Sequence, residues 1–239
     1  MQTLVGYHSI GKGGRPNEDR YRLLGGGFVV PDNRATAFKE TKRGEIYAVM
    51  DGVGGAPKGM AAAQYIADKL VAFYTQPSAL ANELGIESIL QQANTAIFDW
   101  GFMLGTDRPC GASTVTLCWF SPDRKVHIIH SGDSAGFLHT VLGLRQVTHN
   151  QEDTNGIYAY VGQGNGFCPE RNCYSLSEGD VVCLVTDGVT KGMNKYEMQV
   201  ILENYAGEPG LAAKVLVESA KRKGVQDDIT ALVIELDEW

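Results

Sequence analysis

Apolar positions recur along the chain with two periods, and the changes of period outline its elements. Residues 4–10 alternate loosely and predict a strand, and residues 21–24 predict a second, shorter one. Residues 45–50 predict a buried strand that runs straight into Asp51 and a turn containing Gly52, Gly54 and Gly55. Past Gly59 the spacing becomes helical, with Ala62, Ile66, Leu70 and Phe73 on one face. Pro77 and Ser78 interrupt it. A second helical stripe follows through Ile86, Leu90, Ala93, Ile97 and Trp100. Two successive helices predict a helical hairpin lying on a sheet.

Residues 107–111 read as a turn. Residues 112–120 and 124–130 then predict paired strands joined by Ser121, Pro122 and Asp123. The tight turn Gly132, Asp133, Ser134 leads into a further strand at 135–139, and the expected arrangement is an antiparallel meander. Residues 180–186 form a strongly apolar strand that ends in Asp187 and Gly188, repeating the logic of Asp51 and Gly52. Residues 194–205 and 209–223 predict helices, with Pro209 suited to the first turn. A loop over 224–226 ends in Asp227 and Asp228, and residues 229–236 predict the last strand. Residues 28–30 suit a strand and 31–34 a turn, while 35–43 show no clear period. Residues 148–166 are polar and Gly-rich, but Gly162, Gly164 and Gly166 do not have the spacing of a dinucleotide fingerprint. No repeat or low-complexity linker interrupts the pattern, so a single domain over residues 1–239 is expected.

Composition narrows the function classes. A chain of 239 residues, 44% apolar, can bury a large core without staples. Its 28 acidic and 21 basic residues give a net charge of -7, which argues against a nucleic-acid partner. The same balance suits a protein that gathers carboxylates around cations. The five cysteines are odd in number and form no Cys-x-x-Cys pair, so neither a disulfide framework nor a zinc knuckle is expected. Cys118 and Cys183 sit in apolar runs and read as packing. His127 and His130 are three apart on a strand, face opposite sides, and read as structural. No signal-peptide pattern and no apolar run of membrane-spanning length is present, so a cytoplasmic protein with no membrane partner is expected.

The informative chemistry is collective. Glu18, Asp19, Asp51, Asp133, Asp187, Asp227 and Asp228 all fall at predicted strand ends or tight turns. Singly, Asp51 is also what a helix cap looks like, and Glu18 with Asp19 is what a solvated turn looks like. Together in one cleft these carboxylates would repel one another unless cations neutralised them. Oxygen-only ligands select Mg²⁺ or Mn²⁺ over zinc. Two such ions can share a water, lower its pKa and clamp a phosphoryl group. No Cys or Ser sits beside a plausible general base for covalent catalysis.

With these motifs in order the sequence resembles the metal-dependent serine/threonine protein phosphatases, the PPM or type 2C group, in a compact bacterial-style form. The resemblance runs from Asn17, Glu18, Asp19 through Asp51-Gly52-Val53-Gly54-Gly55, Gly111-Ala112-Ser113-Thr114, Gly132-Asp133-Ser134 and Thr186-Asp187-Gly188 to Asp227-Asp228-Ile229-Thr230. It implies an α+β fold in which two antiparallel sheets pack as a sandwich flanked by helical hairpins on both sides. It implies Asp51 bridging two metals, the Gly52 carbonyl and Glu18 as further ligands, Asp187 and Asp227 on the second ion, and Asp133 with Asp187 on a third, weaker one. Asp19 would orient ligands and waters. The implied reaction is hydrolysis of phosphoserine or phosphothreonine by direct attack of a metal-bridged hydroxide, on a protein phosphorylated by a cognate serine/threonine kinase.

The chain departs from the family pattern in several places. Arg15 lies one residue nearer the Asn-Glu-Asp unit than the family's phosphate-gripping arginine, with Lys12 as a possible substitute. Val53 stands where some members carry a proton-donating His, which leaves that proton to water. Ala135 stands where Arg is frequent, and Asp228 where Asn is usual. Residues 148–162 are short for the family's mobile flap. The alternative reading is a catalytically weak or inactive member that binds metal and recognises phosphoproteins. A third, a structural calcium binder, lacks the ligand spacing of a calcium loop.

Overall fold

A computed structural model describes residues 2–25, 36–39, 42–76 and 80–238. The elements run β1 (Gln2–Ile10), β2 (Arg20–Leu24), β3 (Thr36–Lys39), β4 (Glu45–Met50), α1 (Gly59–Leu70), α2 (Ala72–Thr75) and α3 (Glu83–Phe98). They continue with β5 (Val115–Ser121), β6 (Lys125–Ser131), β7 (Ala135–Thr140), β8 (Gly143–Gln146), β9 (Glu152–Asp153), β10 (Gly156–Ile157), β11 (Glu170–Tyr174) and β12 (Val181–Val185). The chain closes with α4 (Asp187–Gly192), α5 (Lys195–Asn204), α6 (Pro209–Arg222) and β13 (Ile229–Glu238).

Two antiparallel sheets carry the molecule. One has six strands in the order β3-β1-β13-β12-β7-β8, the other five in the order β11-β6-β5-β4-β2. The period of two sorts each strand's side chains between layers. On β4, Tyr47 and Val49 face the interior of the sandwich, while Ile46, Ala48 and Met50 face α1 and α3. On β12, Val182 and Leu184 face the sandwich, while Val181, Cys183 and Val185 face the helices of the other side. Such strands read as nearly continuous apolar runs because both faces are covered. The outer helices supply matching stripes: Ala62, Ala63, Ile66 and Leu70 on α1, and Ala212, Ala213, Leu216, Val217 and Ala220 on α6. A capping box starts α5, with Asn194 and Glu197 each accepting the other's backbone N–H. The expected α-β-β-α sandwich is the observed fold.

Several expectations need correcting. The meander does not continue past β6, since β5 and β6 pair but β7 crosses into the six-stranded sheet beside β12. The turn at residues 132–134 therefore links the sheets, and Asp133 rides on that crossover. Residues 36–39, without a readable period, form an edge strand held by backbone pairing to β1. The strands β8 and β11 and the short helix α4 have too few residues to show a period. The strand expected at 28–30 and the turn at 31–34 lie outside the described residues, as do Pro77 and Ser78. The Gly-rich stretch is a structural clasp. The buried Asn94 on α3 donates to the Gly164 carbonyl (2.9 Å) and accepts from the Gly162 (2.9 Å) and Gly164 (3.1 Å) N–H groups. His130 is buried between Thr116 (2.9 Å) and the His149 carbonyl (3.0 Å), in keeping with a structural role. Among the described residues no helix is long and apolar enough to cross a membrane.

Candidate active site

The site forms at one end of the sandwich, where the ends of strands from both sheets meet. Asp51 follows β4. Its N–H donates to Thr114 Oγ1 (2.9 Å), and its carbonyl accepts from the Thr114 N–H (2.8 Å) and the Ser113 hydroxyl (2.8 Å). The Gly111-Ala112-Ser113-Thr114 string thus clamps the Asp-Gly turn, and its Ala112 and Thr114 also line the cavity. Thr114 also shares a hydrogen bond with Ser134 (2.9 Å), which ties this turn to the Asp133 crossover. Gly52 is required by close approach, because a Cβ there would sit 2.4 Å from the Gly59 carbonyl carbon. Asp187 opens α4 directly after β12. Gly188 packs so closely on the next loop that a Cβ would lie 2.1 Å from the Asp228 carbonyl oxygen.

Asp51, Asp133, Asp187 and Asp227 line one cavity of about 540 Å³, together with Gly52, Arg15, Lys191 and Arg108. Far-separated loops thus bring these four carboxylates, with Glu152, to one place. The other three acidic residues are placed differently. Asp19 is turned inward, where its Oδ2 accepts from the hydroxyls of Thr230 (2.6 Å) and Thr186 (2.9 Å). It thereby joins the strand that precedes Asp187 to the strand that follows Asp228. Asp228 accepts the N–H groups of Lys12 and Glu18, both at 2.8 Å, and so pins the first loop. Glu18 is paired with Arg15 and does not line the cavity.

Burial and crowding show in the protonation of the cluster. Burial, then the charges of Asp19, Asp187, Asp133 and Asp227, pushes Asp51 well above the ordinary carboxylate range. Burial raises Asp19 to about 7 despite its two threonine hydrogen bonds. Burial, then Asp187, raises Asp133 to about 7. Burial raises Asp187 too, but Lys191 opposes the rise.

A basic residue missed in the sequence explains that difference. Lys191 bonds both Asp187 and Asp227, the latter at 2.8 Å. Its signal was an Asp and a Lys four apart, legible only once residues 187–192 are read as a helix. With Lys191 and Arg15 engaged, no group of three or more His, Cys, Asp or Glu among the described residues is arranged to hold a metal ion as it stands. The donor set nevertheless suits a hard cation. It is made of oxygen alone, and Asp19 Oδ1, Asp133 Oδ1 and Asp187 Oδ1 are buried without a hydrogen-bond partner. Unpaired buried carboxylate oxygens are costly unless a cation or a donor meets them.

The family model described as Stage II sporulation protein E (SpoIIE) matches residues 43–237. No curated protein matches the sequence. Among solved structures, the chain is similar to PppA, described as a key regulatory component of T6SS in Pseudomonas aeruginosa. The TM-score is 0.79 at 21% identity, covering 98% of this chain and 97% of that one. The catalytic domain of the serine/threonine protein phosphatase PstP, in complex with two manganese ions, aligns with TM-score 0.76 at 21% identity over 100% of both chains. The PPM Ser-Thr phosphatase MsPP from Mycobacterium smegmatis, in complex with cacodylate, aligns with TM-score 0.73 at 20% identity over 97% of each.

Proposed function

The chain belongs to the SpoIIE family and has the fold of the PPM phosphatases, and from that premise we propose that it is a Mg²⁺- or Mn²⁺-dependent phosphatase acting on phosphoserine and phosphothreonine in proteins. The observation that carries this reading is the convergence of Asp51, Asp133, Asp187 and Asp227 on one cavity from both sheets. In this reading Asp51, the Gly52 carbonyl, Asp187 and Asp227 would hold two ions, Asp133 with Asp187 would hold a third, and Glu18 would serve as a further ligand once freed from Arg15. Bound there, the ions would lower the pKa of a water and stabilise charge on the phosphoryl group.

The chain's own residues do the holding and aiming. Thr114 and Ser113 fix the Asp51 backbone, and Asp19 fixes the spacing of the strands carrying Asp187 and Asp227 through Thr186 and Thr230. Val53 lines the cavity beside Asp51 and has no titratable proton, so it does not protonate the leaving group. The substrate would be a protein phosphorylated by a serine/threonine kinase, met in the cytoplasm. Hydrolysis of a phosphopeptide should rise with added Mn²⁺ and vanish with chelator and in Asp51→Asn. Full turnover in chelator would end the reading.

One observation favours a second reading. Lys191 and Arg15 already neutralise three of the implied ligands, as a regulatory phosphoprotein-binding module would tolerate. Saturable phosphopeptide binding without turnover at saturating Mn²⁺ would select it.

A further inference from the structure

A phosphatase site needs a cation for the substrate's phosphate, and the sequence offers Arg15 and Lys12. Arg15 lines the cavity but is already paired, and Lys12 lies off it. The Arg15 guanidinium pairs with Glu18 and lies 3.7 Å from Asp228 Oδ2. Lys12 does not line the cavity, and its main-chain N–H is held by Asp228.

Arg108 lines the same cavity, in the loop between α3 and β5. That loop is a tight hairpin. Phe102 and Pro109 form an antiparallel bridge, the Met103 N–H donates to the Arg108 carbonyl (2.8 Å), and the Cys110 N–H donates to the Gly101 carbonyl (2.8 Å). The Arg108 backbone is thus anchored, whereas its exposed side chain has no hydrogen bond or ion pair among the described residues. A guanidinium that faces an acidic cavity yet is not spent on its carboxylates keeps all its donors for an incoming anion. Its planar fork matches phosphate.

We propose that Arg108 is the residue that grips the phosphate of the substrate. This rests on the phosphatase reading above and names the positioning residue of that site.

The test compares wild type, Arg108→Gln, Arg108→Lys and Arg15→Gln on one phosphopeptide at saturating Mn²⁺. Inhibition by inorganic phosphate and the anisotropy of the labelled peptide, with and without its phosphate, are measured alongside. Arg108→Gln should raise KM and the inhibition constant of phosphate together by roughly tenfold or more, the scale of a lost charge-assisted hydrogen bond. Its kcat should change about threefold at most, and its unfolding midpoint should stay put. Arg108→Lys should recover part of the loss, and Arg15→Gln should move the phosphate constant less than Arg108→Gln does. Unchanged KM and phosphate constant in Arg108→Gln would overturn the proposal. So would a KM change confined to peptides with acidic flanks, which would make Arg108 a contact for neighbouring residues. If wild type binds the phosphopeptide but never hydrolyses it, the phosphatase reading fails separately. Arg108 is then decided by whether the Gln variant loses the preference for the phosphorylated peptide. Wild type showing no such preference would remove both.

Discussion

Asp51 and Asp187 end apolar strands in different sheets, and each is followed by a glycine whose Cβ would collide with a neighbouring backbone. The two sites are alike in local sequence and opposite in electrostatics. Asp187 opens a helix, and that helix returns Lys191 to it one turn later. Asp51 opens a loop that reaches α1 only at Gly59, and the four charges raising its pKa are all carboxylates. The β12 end brings its own counterion, whereas the β4 end depends on one from outside. If metal binds here, Asp51 is the residue whose charge it relieves most.

The strongest way to break the comparison is Asp51→Asn. Turnover should fall by about a thousandfold or more, roughly 4 kcal/mol of barrier, while the metal-free protein becomes more thermostable because a buried carboxyl crowded by other carboxylates is gone. Asp187→Asn should not gain that stability, since Lys191 loses a partner. Paired melting curves without metal check the contrast, and equal shifts in the two variants would refute it.

Gly52→Ala and Gly188→Ala should each destabilise by about 1–3 kcal/mol or more, the cost of forcing atoms into a packed site. Denaturant midpoints would show this, and a neutral result at either position would mean the close approach is relieved easily.

Protonation gives a third handle. Asp19 and Asp133 are raised from 3.8 to about 7 in the folded protein. Between those values the unfolded chain has lost protons that the folded one keeps, so the folded state binds more protons and stability falls as pH rises. The metal-free protein should therefore melt lower at pH 7.5 than at pH 5, and Mn²⁺ should recover more at the higher pH. A metal-free midpoint that rises over this range would contradict the crowding argument.

The smallest effect concerns the built-in counterion. Lys191→Met should tighten Mn²⁺ binding severalfold in calorimetry, because the ion no longer competes with an ammonium for Asp187 and Asp227. Weaker binding would mean that Lys191 organises the site rather than competing for it.

Much of this was legible beforehand where local chemistry is strong. The apolar run of β12 and the helical stripe through Ile66, Leu70, Ile86 and Leu90 identified buried elements, because period and burial go together. Four of the seven acidic residues singled out line the cavity. Glu18, Asp19 and Asp228 were legible as a group but not in their individual tasks. Whether a carboxylate faces a cavity, a pair of threonine hydroxyls or a loop's N–H groups depends on chain hundreds of residues away, as the Asp19 bond to Thr230 shows. Edge strand β3 and the short β8 and β11 left no pattern, since four or five residues are too few to show a period.

By itself, then, the order of residues determined the main strands, the helices beside them, and the placing of carboxylates at strand ends, because each follows from periods and turns a few residues long. Only the three-dimensional arrangement decided that β7 leaves the meander for the other sheet, that Lys191 and Arg15 reach the acidic cluster first, and that Arg108 faces the cavity without a partner. Charges act through space, and space is set by contacts that no short window of sequence contains.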